Sequence, residues 1–178
     1  MIEQKNYYRL KLSYLGEGEK GNLEMKKEEV LVLAVNYSEA ELIANELLND
    51  RMQFDANNLS YEIVKTKVSE IVFNSTMCAV QNSGTLASTV EFFFEGDTDA
   101  ALYSVDVFFD VVNEKGKVKK VKNAIYVPAE SPAKAISCIK EYLKGSLADY
   151  CIRNVKYDKA TSIYTDIARY TSYLNNGH

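Results

Sequence analysis

Histidine is all but missing: the only one in the 178-residue chain is His178. Its scarcity removes Ser-His-Asp and Cys-His catalysis, the HExxH zincins and most zinc sites. Tryptophan is absent, and there are only 2 prolines. The three cysteines, Cys78, Cys138 and Cys151, are odd in number, widely spaced and form no CxxC. A disulfide framework or zinc knuckle is therefore not expected, and the cysteines read as small apolar fillers in a reducing, intracellular compartment. No apolar run approaches the roughly 20 residues of a membrane span. The opening MIEQKNYYRLKLSY alternates polar and apolar residues without an uninterrupted apolar region, so it is not expected to be a signal peptide. Together these absences predict a cytoplasmic protein with no membrane association, no metal, no cofactor and no catalytic residues.

What is present is ordinary globular material, 47% hydrophobic and 26% charged, with 13 tyrosines and 7 phenylalanines. The length suits one domain, or two very small ones sharing a core. Tyr8, Leu10, Leu12 and Tyr14 alternate with Arg9, Lys11 and Ser13, the period of two of a half-buried strand. The turn GEGEKGN follows, and Leu23 to Asn36 reads as the returning strand, polar at first and then apolar (VLVLAV). Ser38-Glu39-Ala40-Glu41 has the S-x-x-E capping pattern, and Ala40, Ile43, Leu47 and Leu48 make the apolar stripe of a helix. Leu59 to Phe73 reads as one strand with an irregularity near Thr66. Ser75 to Ala100 is turn-rich in its first part, with an extra strand at Thr89 to Phe94 (TVEFFF).

From Ala101 the first pattern returns. Tyr103, Val105, Val107 and Phe109 match Tyr8, Leu10, Leu12 and Tyr14; Lys115-Gly116 matches Lys20-Gly21; Ile125 to Val127 matches Val30 to Val32. Ser131 then matches Ser38, with Pro132 at the first helical position, where its missing amide proton is harmless. Ala133, Ile136, Ile139 (or Cys138) and Leu143 form the second stripe, Gly145 is a C-cap, and Tyr150 to Tyr157 is the strand after the helix. Ile163, Ile167, Tyr170 and Leu174 stand at helical spacing and suggest a short docked helix. The reading is an α+β fold, an internal duplication of a β-hairpin–α-helix–β-strand unit in antiparallel sheet with helices on one face. Its parts are repeat one (1–74), a linker or insertion (75–100), repeat two (101–165) and a tail (166–178).

The stretches YYRLKLSY, AVNYSEAE and LKGSLADYCI (Leu143 to Ile152) resemble a family of small proteins of unknown function from gut Bacteroidetes-type bacteria and their phages and prophages. The resemblance covers both repeats but not Ser75 to Ala100. It transfers no catalytic residue, and it implies a phage or mobile-element accessory protein of the bacterial cytoplasm.

Among motifs that carry chemistry, Gly16 to Gly21 is a literal GxGxxG. A dinucleotide fingerprint opens a helix, whereas here a strand follows, so the turn reading prevails. Asp97 and Asp99 are too few oxygens for a calcium loop. Glu28, Glu29, Asp106 and Asp110 read as strand acids without partners, and Ser146 and Asp149 as turn-shaping residues. The distinctive feature is the second hairpin: Lys115, Lys117, Lys119, Lys120 and Lys122 place five positive charges in eight residues. Charge is polarised along the chain: nine bases and thirteen acids in 1–74, four acids and no base in 75–100, twelve bases and eight acids in 101–178. Three readings of the lysines compete. They protect a strand edge from pairing; or they dock on an acidic surface of a second copy or a partner protein; or they bind phosphates while nearby rings stack bases of a single strand. An isoelectric point near 5.2 opposes strong nucleic-acid binding. The expectation is a non-enzymatic binding or assembly protein acting through protein contacts, with single-stranded nucleic-acid binding as the alternative. An enzyme acting on a phosphorylated small molecule is a third class, disfavoured by the missing histidine, metal set and phosphate loop.

Overall fold

A computed structural model describes residues 4–51, 59–81, 89–94 and 97–166, together with Ala168 and Thr171. The chain divides into two compact units: Met1–Thr66, Val80–Phe92 and Ala160–Tyr170 form the first, and Lys67–Ala79, Phe93–Lys159 and Thr171–His178 the second.

In the first unit, β1 (Asn6–Glu17) and β2 (Leu23–Ala34) form an antiparallel hairpin in register from Asn6↔Ala34 to Glu17↔Leu23. The alternation in β1 buries Tyr8, Leu10 and Leu12 on the face that receives α1 (Tyr37–Arg51). From that helix come Ala40, Ile43, Ala44, Leu47 and Leu48, the stripe read from the sequence with Ala44 added. β3 (Ser60–Lys65) adds antiparallel to β1. In the second unit, β7 (Ala101–Val112) and β8 (Val118–Ala129) form another hairpin of 12-residue strands, α2 (Pro132–Tyr142) covers it, and β9 (Tyr150–Asp158) adds antiparallel to β7. Tyr103, Val105, Val107, Ile125, Val127 and Ala129 pack there with Ala135 and Ile139.

The remaining strands overturn the α+β expectation. β4 (Val68–Ile71), β5 (Met77–Gln81), β6 (Thr89–Phe94) and β10 (Ser162–Asp166) complete two sheets, of orders β3-β1-β2-β10-β6-β5 and β4-β8-β7-β9. Among the described residues, strand accounts for 56% and helix for 19%. The sheets are mixed rather than antiparallel, because β10 runs parallel to β2 and β4 parallel to β8. A mostly β protein with two mixed sheets thus replaces the duplicated hairpin–helix–strand layout. The irregularity near Thr66 is a break: β3 and β4 belong to different sheets. The helix suggested at Ser162 to Leu174 is, in its first part, the strand β10, with Ser162, Ile163, Tyr164 and Thr165 all buried. A short apolar run buried on both faces carries no period to separate it from a helix, and length decides for strand. Ile167, Tyr170 and Leu174 lie outside the described residues. β5 was missed altogether: its burial alternates weakly and only Met77 is buried.

Three local assignments also change. The α1 cap is Asn36, whose Oδ1 accepts from Glu39 N at 2.9 Å, so the helix begins before Ser38. Ser131 does cap α2, accepting from Lys134 N at 3.2 Å, with Pro132 in the first turn. The α2 stripe is rotated: Ala135 and Ile139 are buried, whereas Ala133 is exposed and Ile136 half-buried. Cys78 is exposed rather than a core filler; Cys138 and Cys151 are half-buried, and all three are free thiols.

Candidate functional site

The β7–β8 hairpin extends past the edge of its core, and the five lysines occupy that extension. Its turn explains why the chain can reverse there. Gly116 N donates to Asn113 O at 3.0 Å, Asn113 N to Lys117 O at 2.9 Å, and Gly116 takes φ +76°, a conformation that disfavours any side chain. The Asn113 Oδ1 accepts from both Lys115 N and Lys117 N at 2.9 Å, locking the loop from inside. The GxGxxG segment closes the first hairpin with the same hydrogen bonds: Gly21 N donates to Gly18 O, and Gly21 has φ +75°. It is a turn, and no helix follows it.

The structure separates the lysines into two groups. Lys120 and Lys122 lie on the face opposite α2 and pair with acids of β7: Lys120 Nζ is 2.8 Å from Asp110 Oδ1, and Lys122 Nζ is 3.6 Å from Asp106 Oδ2. The carboxylate raises the Lys120 pKa through a hydrogen bond. Lys115, Lys117 and Lys119 are exposed and form no ion pair with any described residue. Asp106 and Asp110 are therefore not lone acids. Neither are Glu28, which is held by Arg51, nor Glu29, 3.8 Å from Arg9.

Around the three free lysines the hairpin shows aliphatic surface that sequence reading passed over. Val112 and Val118 are 65% and 64% exposed on one face, and Val111 and Val121 are exposed on the other. Leu147 is fully exposed in the α2–β9 loop. That loop runs beside the hairpin extension, since Asp110 N donates to Asp149 O at 2.9 Å. Gly145 (φ +87°) and a bond from Ser146 N to Leu143 O shape the loop, while Ser146 Oγ donates to Ala148 O; neither Ser146 nor Asp149 is an activated nucleophile. The signal available in the sequence was the valines themselves, which continue past the point where the helix can cover them. The nearest rings are occupied: Phe108 lies 4.7 Å beneath the Arg153 guanidinium, and Phe109 packs against Tyr150.

A second feature lies beside this end. Ile136 and Lys140 of α2 and Tyr150, Cys151 and Ile152 of β9 line an open groove of about 460 Å³. Among the described residues, β9 is the outer strand of its sheet, with β7 as its strand neighbour.

Among the described residues of the first unit, a largely buried ionic cluster surrounds Arg51. Its Nε and Nη2 bind both oxygens of Glu28 at 2.8 Å, and Nη2 also reaches Glu91 Oε1 at 2.7 Å. Ser162 Oγ donates to the same Glu91 oxygen at 2.9 Å, and Tyr14 OH to Glu28 at 3.1 Å. Burial and then the Glu28 charge raise the Tyr14 pKa, keeping it a neutral donor. Every group has a partner, so the cluster fastens α1, β2, β6 and β10 together rather than presenting a reactive atom. Among the described residues there is no group of three or more His, Cys, Asp or Glu that could hold a metal ion, and no helix long and apolar enough to cross a membrane. Asp97 and Asp99 are simply exposed.

A family model described as Domain of unknown function (DUF4494) matches residues 6–166. No curated protein and no solved structure matches the chain.

Proposed function

We propose for this chain, which belongs to the family of the domain of unknown function DUF4494, a non-enzymatic binding or assembly role in which the β7–β8 hairpin end docks on an acidic partner protein. The observation that carries it is the interleaving of exposed Val111, Val112, Val118 and Val121 with the unpaired Lys115, Lys117 and Lys119. Aliphatic surface at a projecting end gains from being covered by another protein, and the lysines steer and orient the encounter. The resemblance of YYRLKLSY, AVNYSEAE and LKGSLADYCI supports placing the protein among phage or mobile-element accessory proteins of the bacterial cytoplasm; its gene neighbourhood tests that placement. Purification of the tagged protein from its producing cell tests the docking. The wild type retains a stoichiometric partner that the triple variant Lys115→Glu, Lys117→Glu, Lys119→Glu loses. Equal retention by both would overturn the reading.

Single-stranded nucleic acid is the second reading, favoured by the same three unpaired lysines. It is the weaker of the two because stacking on aromatic rings supplies much of the affinity of such binders, and Phe108 and Phe109 are already packed. Anisotropy of labelled single-stranded DNA at two salt concentrations separates the readings. Tight binding that collapses with salt and with the triple variant favours nucleic acid.

A further inference from the structure

Resting on that reading of a protein partner, we infer that the partner's recognised element is an extended segment of alternating acidic and apolar residues, added as a strand to β9 in the groove against α2. A strand at the edge of a sheet keeps a row of unused amides and carbonyls, and a segment laid beside it gains main-chain hydrogen bonds while alternate side chains enter pockets. Here the pocket exists: Tyr150 and Ile152 form its β9 side, Ile136 its helix side, and the volume of about 460 Å³ accepts apolar side chains. The β7–β9 register shifts between Asp106 and Val107, where Arg153 is the extra residue of β9. The bulge bends the strand there and directs pairing to Tyr150–Ile152, the stretch that lines the groove.

Charge selects the occupant. Among the described residues, Lys140 is the charged side chain lining the groove, and it forms no ion pair with any of them. A carboxylate on the segment, one residue from an apolar anchor, would neutralise it.

The test uses the full chain and a display library of random linear twelve-residue peptides. Selection is expected to enrich alternating apolar and Asp/Glu sequences. An enriched peptide should bind Lys140→Glu about tenfold or more weakly by anisotropy. It should also slow amide hydrogen exchange at residues 150–152. Ile136→Glu, on the same groove wall, should lose binding as well, and circular dichroism checks that both variants fold. Enriched peptides that bind Lys140→Glu unchanged but lose affinity with the hairpin triple variant would overturn this inference and leave the docking reading intact. Enrichment without acidic residues, or no enrichment, would also overturn the inference, while the docking reading stands or falls by the retained partner.

Discussion

Arg51 sits among carboxylate oxygens from β2 and β6, with both Glu28 and Glu91 largely removed from water. Removing the guanidinium strands two buried carboxylates, so Arg51→Ala should cost about 3–5 kcal/mol, read as a lowered midpoint in urea. The exposed Lys26–Glu24 pair, at 2.7 Å, is the control. Lys26→Ala should change stability by no more than about 1 kcal/mol despite equally good geometry. Equal effects at the two sites would mean that burial is not what makes the cluster matter. Tyr164 offers a second residue-level test. Burial raises its pKa from 10.0 to about 12, outweighing the opposing Thr89 hydrogen bond. The folded state therefore holds this proton more tightly than the unfolded one. The resulting stabilisation is fully present below about pH 10 and is lost as pH rises toward about 12. A pH series of thermal melts should fall across that window in the wild type and fall less in Tyr164→Phe.

At the scale of elements, caps and turns decide where helices and hairpins begin. Asn36→Ala should lower stability by about 1 kcal/mol, because it frees the Glu39 amide, while Ser38→Ala should cost less than about 0.5 kcal/mol. Chemical denaturation of both variants settles which residue caps α1. Gly116→Ala should cost about 1 kcal/mol or more through backbone strain alone, since nothing lies within 4 Å of the added Cβ. The period of two in β1 and β7 and the apolar stripe of α1 were legible because each of these elements buries one face. The cap of α1 was misplaced because Asn36 and Ser38 are both competent acceptors and only the entry path of the chain chooses. β10 was misread because it is buried on both faces, which erases the alternation, and β5 because it is scarcely buried at all. The candidate site was half legible. Lysines announce themselves in any sequence, but that Asp106 and Asp110 neutralise two of the five depends on the β7–β8 register. The groove was not legible, since it arises from a rotation of α2 that exposes part of Ile136.

At the scale of the molecule, the two mixed sheets give each unit a hairpin of 12-residue strands; the second carries its lysines among exposed valines, and the first exposes Leu23 and Met25 beside Lys20 and Lys27. Of the first hairpin's acids, Glu28 and Glu29 face Arg51 and Arg9, Glu24 pairs with Lys26, and Glu17 and Glu19 are exposed. The hairpin end that sets a run of lysines among exposed valines is that of the second unit. The most direct test places a photo-activated cross-linking amino acid at Val118 and irradiates the protein in the cell that produces it. The account predicts a discrete adduct that protease destroys and nuclease leaves intact, absent when the cross-linker stands at exposed Lys27 instead. An adduct sensitive to nuclease, or equal labelling from both positions, would contradict it.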